Sequence, residues 1–118
     1  MTEPLIHNRP FTWDFVLSVL EHRLGMWVGR PTYERAVALV IGFDMAQPES
    51  VNEPLQSQIA SRHGTGPLGW AWVLRAEAIG GDVHNPGDLG DLTPEQDAKA
   101  IALLVSELRA VLNDLGPP

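Results

Sequence analysis

The stretch TPEQDAKAIALLVSELRAVLNDLGPP, residues 93–118, decides the fold. It opens with Thr93-Pro94-Glu95-Gln96, a capping box with proline at the first helical position. Ile101, Leu104, Leu108, Val111 and Leu115 then recur at three- and four-residue spacing, which aligns them on one face of an α-helix. Gly116-Pro117 stops it. An amphipathic helix of this length must bury its apolar stripe against other elements, so the rest of the chain has to supply them.

Working outward, Gly and Pro punctuate the chain at Gly25–Gly29–Pro31, Pro48, Gly64–Gly66–Pro67 and Gly80–Gly90, and each interval reads as helix. The spacing predicts a helix from Thr12 to Leu24, with Thr12 as N-cap, Trp13, Val16, Leu20 and Leu24 on one face, and Gly25 as the stop. A second, from Thr32 to Gln47, carries Tyr33, Ala36, Val37, Leu39, Val40, Ile41 and Phe43. So broad an apolar set predicts a central helix with little wet surface, and Gly42 inside it predicts a close helix–helix approach. A third, from Asn52 to His63, presents only Val51, Leu55 and Ile59 and reads as a surface helix with Asn52 as N-cap. A fourth, from Pro67 to Ile79, places Trp70, Val73, Leu74 and Ala78 together; Trp70 and Trp72 also fit a short strand. The expectation is an all-α, compact single-domain bundle of about five helices over residues 1–118, with an N-terminal arm at 1–10 and an acidic loop at 82–92.

Length and composition agree with one domain. At 118 residues and 12.9 kDa the chain can hold a core without staples. It has no cysteine, which excludes disulfides, thiolate metal sites and thiol nucleophiles. Fifteen acids against eight bases give a formal charge of −7, which argues against nucleic acid and anionic membrane as primary partners. The N-terminal residues do not read as a signal peptide, and the longest nearly apolar stretch, Ala36 to Phe43, is far short of the ~20 residues needed to span a bilayer. The expected localisation is cytoplasmic.

No catalytic constellation stands out. His7, His22, His63 and His84 have no metal-binding spacing. The serines lie on or at the start of predicted helices, and none stands in a nucleophile elbow. Gly64–Gly69 lacks the lysine of a phosphate cradle. The loop from Asp82 to Asp91 holds three carboxylates, but their spacing does not match a calcium loop, and it reads as a solvated turn feeding the capping box. The expectation is a protein that is not an enzyme and needs no cofactor or metal. Asp44, near the end of the second helix, is the carboxylate most open to a special role, as a cap or as a partner of Arg30 or Arg35.

Two features point to binding. Trp13, Trp27, Trp70 and Trp72 are many for this size. Most belong in a core, but Trp27 or Trp72 left partly exposed would anchor a partner. Between Glu77 and Asp97 the chain carries Glu77, Asp82, Asp88, Asp91, Glu95 and Asp97 with no Lys or Arg, six of the fifteen acids in 21 residues. Such a run is either a solvated face or a negative surface that steers a basic partner.

Arg23-Leu24-Gly25-Met26-Trp27-Val28-Gly29, with Val40-Ile41-Gly42-Phe43-Asp44 further on, resembles small bacterial immunity proteins of polymorphic-toxin and contact-dependent systems. Those often show Arg-Pro-Gly-Met-Tyr-hydrophobic-Gly after a first helix and Gly-Phe/Tyr-Asp near the end of a second. Trp70-Ala71-Trp72 and the helix from Ala98 to Leu112 resemble their later segments, so the likeness spans about Phe15 to Leu112. Leu24 stands where proline is usual and Trp27 where tyrosine is usual. The resemblance implies a non-catalytic protein that neutralises a cognate toxin by stoichiometric occlusion. It also implies that the motif is structural, a glycine-supported turn with Gly25 at positive φ that buries Met26 and an aromatic. On this reading the partner is a basic protein, met by Asp82, Asp88, Asp91, Glu77 and Asp97 and held by anchors such as Trp27 and Trp72. A self-associating adaptor is the alternative, and an enzyme comes after it.

Overall fold

A computed structural model describes residues 11–85 and 90–116. Among these the chain forms five helices and no strand. Helix α1 covers 13–28 and is built of an α-helical stretch Trp13–Ser18, a π-helical turn Val19–Arg23 and an α-helical turn Leu24–Val28. Helices α2 (Tyr33–Met45), α3 (Asn52–His63), α4 (Trp70–Ile79) and α5 (Pro94–Leu115) follow. The all-α bundle read from the sequence is the observed architecture.

Helix α5 is the centre and touches each of the other four. Its capping box is complete: the Thr93 hydroxyl accepts from the Gln96 N–H, and Gln96 Oε1 accepts from the Thr93 N–H. Ile101, Leu104, Leu108 and Val111 are buried with Leu55, Ile59, Val73 and Leu74 from α3 and α4. Leu115, the last of the expected stripe, is half exposed, because no helix of the bundle covers the final turn.

Helix α1 departs from its expected end. The backbone leaves the helical region at Arg23 (φ −138°, ψ 17°), a further helical turn runs from Leu24 through Gly25 to Val28, and Gly29 takes the positive φ of 90°. The helix can run on because the Gly29 N–H closes onto the Gly25 carbonyl and the Arg35 guanidinium donates to the Val28 carbonyl, which meets the acceptors a helix end leaves open. Gly25 therefore has no left-handed backbone, and neither Met26 nor the motif's aromatic, Trp27, is buried in a turn: they are 83% and 51% exposed.

Helix α2 is wetter than its composition implies. Only Tyr33, Ala36, Val40 and Asp44 are buried, and Ile41 faces solvent. Apolar residues surround this helix, but only the stripe at 33, 36, 40 and 44 packs inward. Nothing lies within 4 Å of a Cβ built on Gly42, so the close helix approach expected there is absent. Asp44 pairs with neither Arg30 nor Arg35. Its carboxylate accepts from the Val51 N–H (2.7 Å) and the Ser50 hydroxyl (2.7 Å), and so secures the start of α3. Asn52 is thereby displaced from the N-cap to the first helical residue, and its side chain accepts from the Trp70 indole instead (2.9 Å). Val51, Leu55 and Ile59 are the buried stripe of α3, as expected. Helix α4 begins at Trp70 rather than Pro67; the Gln56 amide holds both the Leu68 carbonyl and the Trp70 N–H at its start.

Candidate protein-binding surface

The π-helical turn Val19–Arg23 is the local irregularity from which the surface is built. One extra residue in a turn shifts the side chains that follow it around the axis, and such turns often mark functional positions. Here Leu20 and Leu24 point inward and are buried, while Glu21, His22 and Arg23 are exposed.

Between this turn and the outer side of α5 runs an open groove of about 1180 Å³. Leu20, Leu24, Ile101 and Val105 lie along its floor, and Arg23, Met26, Arg30 and Arg109 along its walls. Glu21 and Arg109 bridge it with two hydrogen bonds, at 2.9 and 2.6 Å. Those bonds hold the Glu21 carboxyl below its ordinary range and push Arg109 up. Arg35, Arg62 and Arg75 are also engaged, with the Val28 carbonyl, with Glu77 and Glu107, and with the Gly90 carbonyl. Among the described residues, the guanidinium groups of Arg23 and Arg30 have no hydrogen-bond or ion-pair partner, and both line this groove.

An aromatic cluster joins the start of α1 to its last turn, which the break at Arg23 brings back against it. Phe11 stacks on Phe15 with centroids 4.8 Å apart, and Trp27 meets both rings edge-on at 6.0 and 5.6 Å. Phe11 and Trp27 are both more than half exposed, and Met26 projects beside them. Three rings locked against one another lose little freedom when they are covered, which suits them as anchors.

Trp72 is also half exposed, on α4, with the Arg75 guanidinium 5.9 Å from its ring. Trp70 is buried, and Trp13 is half-buried against Phe43. The acidic residues are dispersed in their engagements. Glu77 accepts from Arg62 and His63 of α3, both at 2.8 Å. Asp97 accepts from the Tyr33 N–H at 2.8 Å and lines the groove. Asp82 accepts from the His84 N–H, and Asp91 and Glu95 are exposed. Asp88 lies outside the described residues.

A second polar cluster joins α3, α4 and α5. Glu107, only 5% exposed, accepts from Gln58 at 2.6 Å and pairs with Arg62. Arg62 also reaches Glu77, so one guanidinium serves both carboxylates. Tyr33 is buried too. Its hydroxyl donates to the Ala71 carbonyl at 2.7 Å, and burial holds its phenol above the ordinary 10.0. These groups fasten the helices together.

Sequence reasoning missed the groove, and with it Arg23 and Arg30. The available signal was position: Arg23 opens the Arg23–Gly29 segment that carries the resemblance, and Arg30 follows it directly. Scans against family models, curated proteins and solved structures each return no match for this chain.

Proposed function

We propose that this chain is a non-catalytic binding protein, of the kind its Arg23–Gly29 segment resembles, that neutralises a cognate toxin by stoichiometric occlusion. The observation that carries the binding part of the reading is the exposure of that segment, which departs from the buried turn the resemblance implies. Met26 and Trp27 stand in water beside Phe11 and Phe15, where a solitary protein would gain by burying them. Aromatic and methionine side chains of this kind are enriched at protein–protein interfaces. The net charge of −7 favours approach to a basic partner.

The test is co-expression with the product of the neighbouring gene, the usual genetic position of a toxin relative to its immunity gene. A complex near 1:1 stoichiometry that abolishes the toxin's activity is expected, and no complex at micromolar concentration sinks the reading. In the same assay, reversal of Asp82, Asp88 and Asp91 to lysine should slow association and reduce its salt dependence. An unchanged association rate would leave the acidic run as a solvated surface only. The half-exposure of both Trp27 and Trp72 favours one competing reading, self-association. Sedimentation velocity of the isolated chain separates the two, since an immunity protein of this kind needs no dimer.

A further inference from the structure

We infer that the groove between the π-helical turn and α5 is the seat of the partner, and that its occupant is an amphipathic helix of the toxin with carboxylates flanking its apolar stripe. The inference rests on the binding-protein reading and adds the site and the chemistry that fits it.

Three observations converge. First, the groove is apolar: the nearly buried Leu24, Ile101 and Val105 back it, and the exposed Met26, Ala98 and Ala102 supply the apolar surface a ligand would cover, along ~18 Å of α5 from Asp97 to Arg109. Second, its charge is locally opposite to that of the whole chain. Three arginines and two carboxylates line it in a protein that carries −7 overall, and Glu21 already satisfies Arg109. Third, the two described arginines without a partner, Arg23 and Arg30, both stand at this groove. A guanidinium that pairs in one fixed geometry with a carboxylate gains strength when water is excluded, so unengaged arginines beside an apolar floor are fitted to a carboxylate-bearing ligand.

The shape selects a helix. The groove is a trough open to water along one side, so a wholly apolar ligand would remain wet on that side. A helix lays its stripe on the floor, keeps its polar face in solvent and packs on two helices at ordinary interhelical distance. A toxin that is basic overall still carries carboxylates. Net charge governs approach, whereas the groove governs which segment is held.

The experiment measures binding of the cognate toxin to wild type, to Arg23→Glu/Arg30→Glu, to Ala102→Arg and to Glu53→Arg. Ala102 is an exposed groove residue, so an arginine there covers the floor without touching the core. Glu53 lies on α3, which contributes nothing to the groove. Both groove variants should weaken binding about tenfold or more, chiefly through faster dissociation, with unchanged melting temperature, while Glu53→Arg stays within about twofold. If wild type binds and both groove variants bind equally well, the groove is overturned and the binding function stands. If Ala102→Arg alone weakens binding, the carboxylate-bearing helix is overturned. If wild type itself does not bind, the functional reading fails and this inference falls with it.

Discussion

Where α5 meets α3 and α4, Leu55, Ile59, Leu74, Leu104 and Leu108 are sealed from water, and even the charged Glu107 is enclosed and paired. Where α5 meets α1, a groove stays open, two arginines lack partners and Met26 and Trp27 face solvent. The same helix thus serves two kinds of surface. On one side the enclosed charge is paired within the chain, Glu107 with Arg62 and Gln58, so the contact adds stability. On the other, Met26, Ala98 and Ala102 stay exposed and two guanidinium groups lack partners, the surface proposed here as the binding face. On the proposed reading, stability and recognition are divided between the two sides of one helix.

That division is tested hardest in the sealed side. Leu104→Ala and Leu108→Ala remove fully enclosed side chains and should each cost ~2–5 kcal/mol. Leu115→Ala, at the uncovered end of the same stripe, should stay within ~0.5 kcal/mol. Urea denaturation of the three variants checks both statements. Equal losses at all three positions would erase the distinction.

A smaller effect is expected from the polar fastening of the same side. Arg62→Ala strips the enclosed Glu107 of its cation and leaves it only Gln58. An enclosed carboxylate losing its charge partner should cost ~1–3 kcal/mol, at the lower end of what a buried pair shows because Arg62 is itself partly solvated. Arg109→Ala breaks the Glu21 pair across the groove, which stands in water, and should cost less. If Arg109→Ala proved the more damaging in thermal melts, the groove would be a structural element of the fold and not a surface kept free.

How much of this was legible in the sequence follows from where the information is local. The α5 cap and stop are spelled by neighbouring residues, Thr93, Pro94, Gln96 and Gly116, and they stand as read. The stripe of α3 is equally local. The reading faltered where two local signals compete or where partners are distant in the chain. Gly25 and Gly29 both can end a helix, and the choice falls to Arg35, whose guanidinium serves the Val28 carbonyl from the next helix. Asn52 is a good N-cap in isolation, but Asp44 reaches the start of α3 first. The apolar breadth of α2 cannot reveal which stripe is covered until α5 is placed against it. Of the candidate site, the exposure of Trp27 and Trp72 was anticipated as one of two outcomes. The groove was not, because a π-helical turn leaves no composition signature and Arg23 and Arg30 acquire meaning only once every other described arginine is found engaged.

The two glycines of that segment give the finest test of the open side. At Gly29 the φ of 90° is costly for any residue with a Cβ, and an added Cβ would lie 2.8 Å from the Arg35 guanidinium. Gly29→Ala should therefore cost ~1–2 kcal/mol, from backbone strain and from displacement of the group that caps α1. Gly25 sits inside the helix with no positive φ, and the nearest atom to an added Cβ is Pro31 Cδ at 3.6 Å, ordinary contact. Alanine there removes the entropic penalty of a helical glycine, so Gly25→Ala should raise stability by ~0.5–1 kcal/mol. The opposite signs are the point of the pair. A helix that ended at Gly25, as its sequence suggests, would be damaged by Gly25→Ala and indifferent to Gly29→Ala. Paired urea midpoints that showed this reversed pattern would return Met26 to a buried turn and remove the exposed segment on which the proposed binding surface depends.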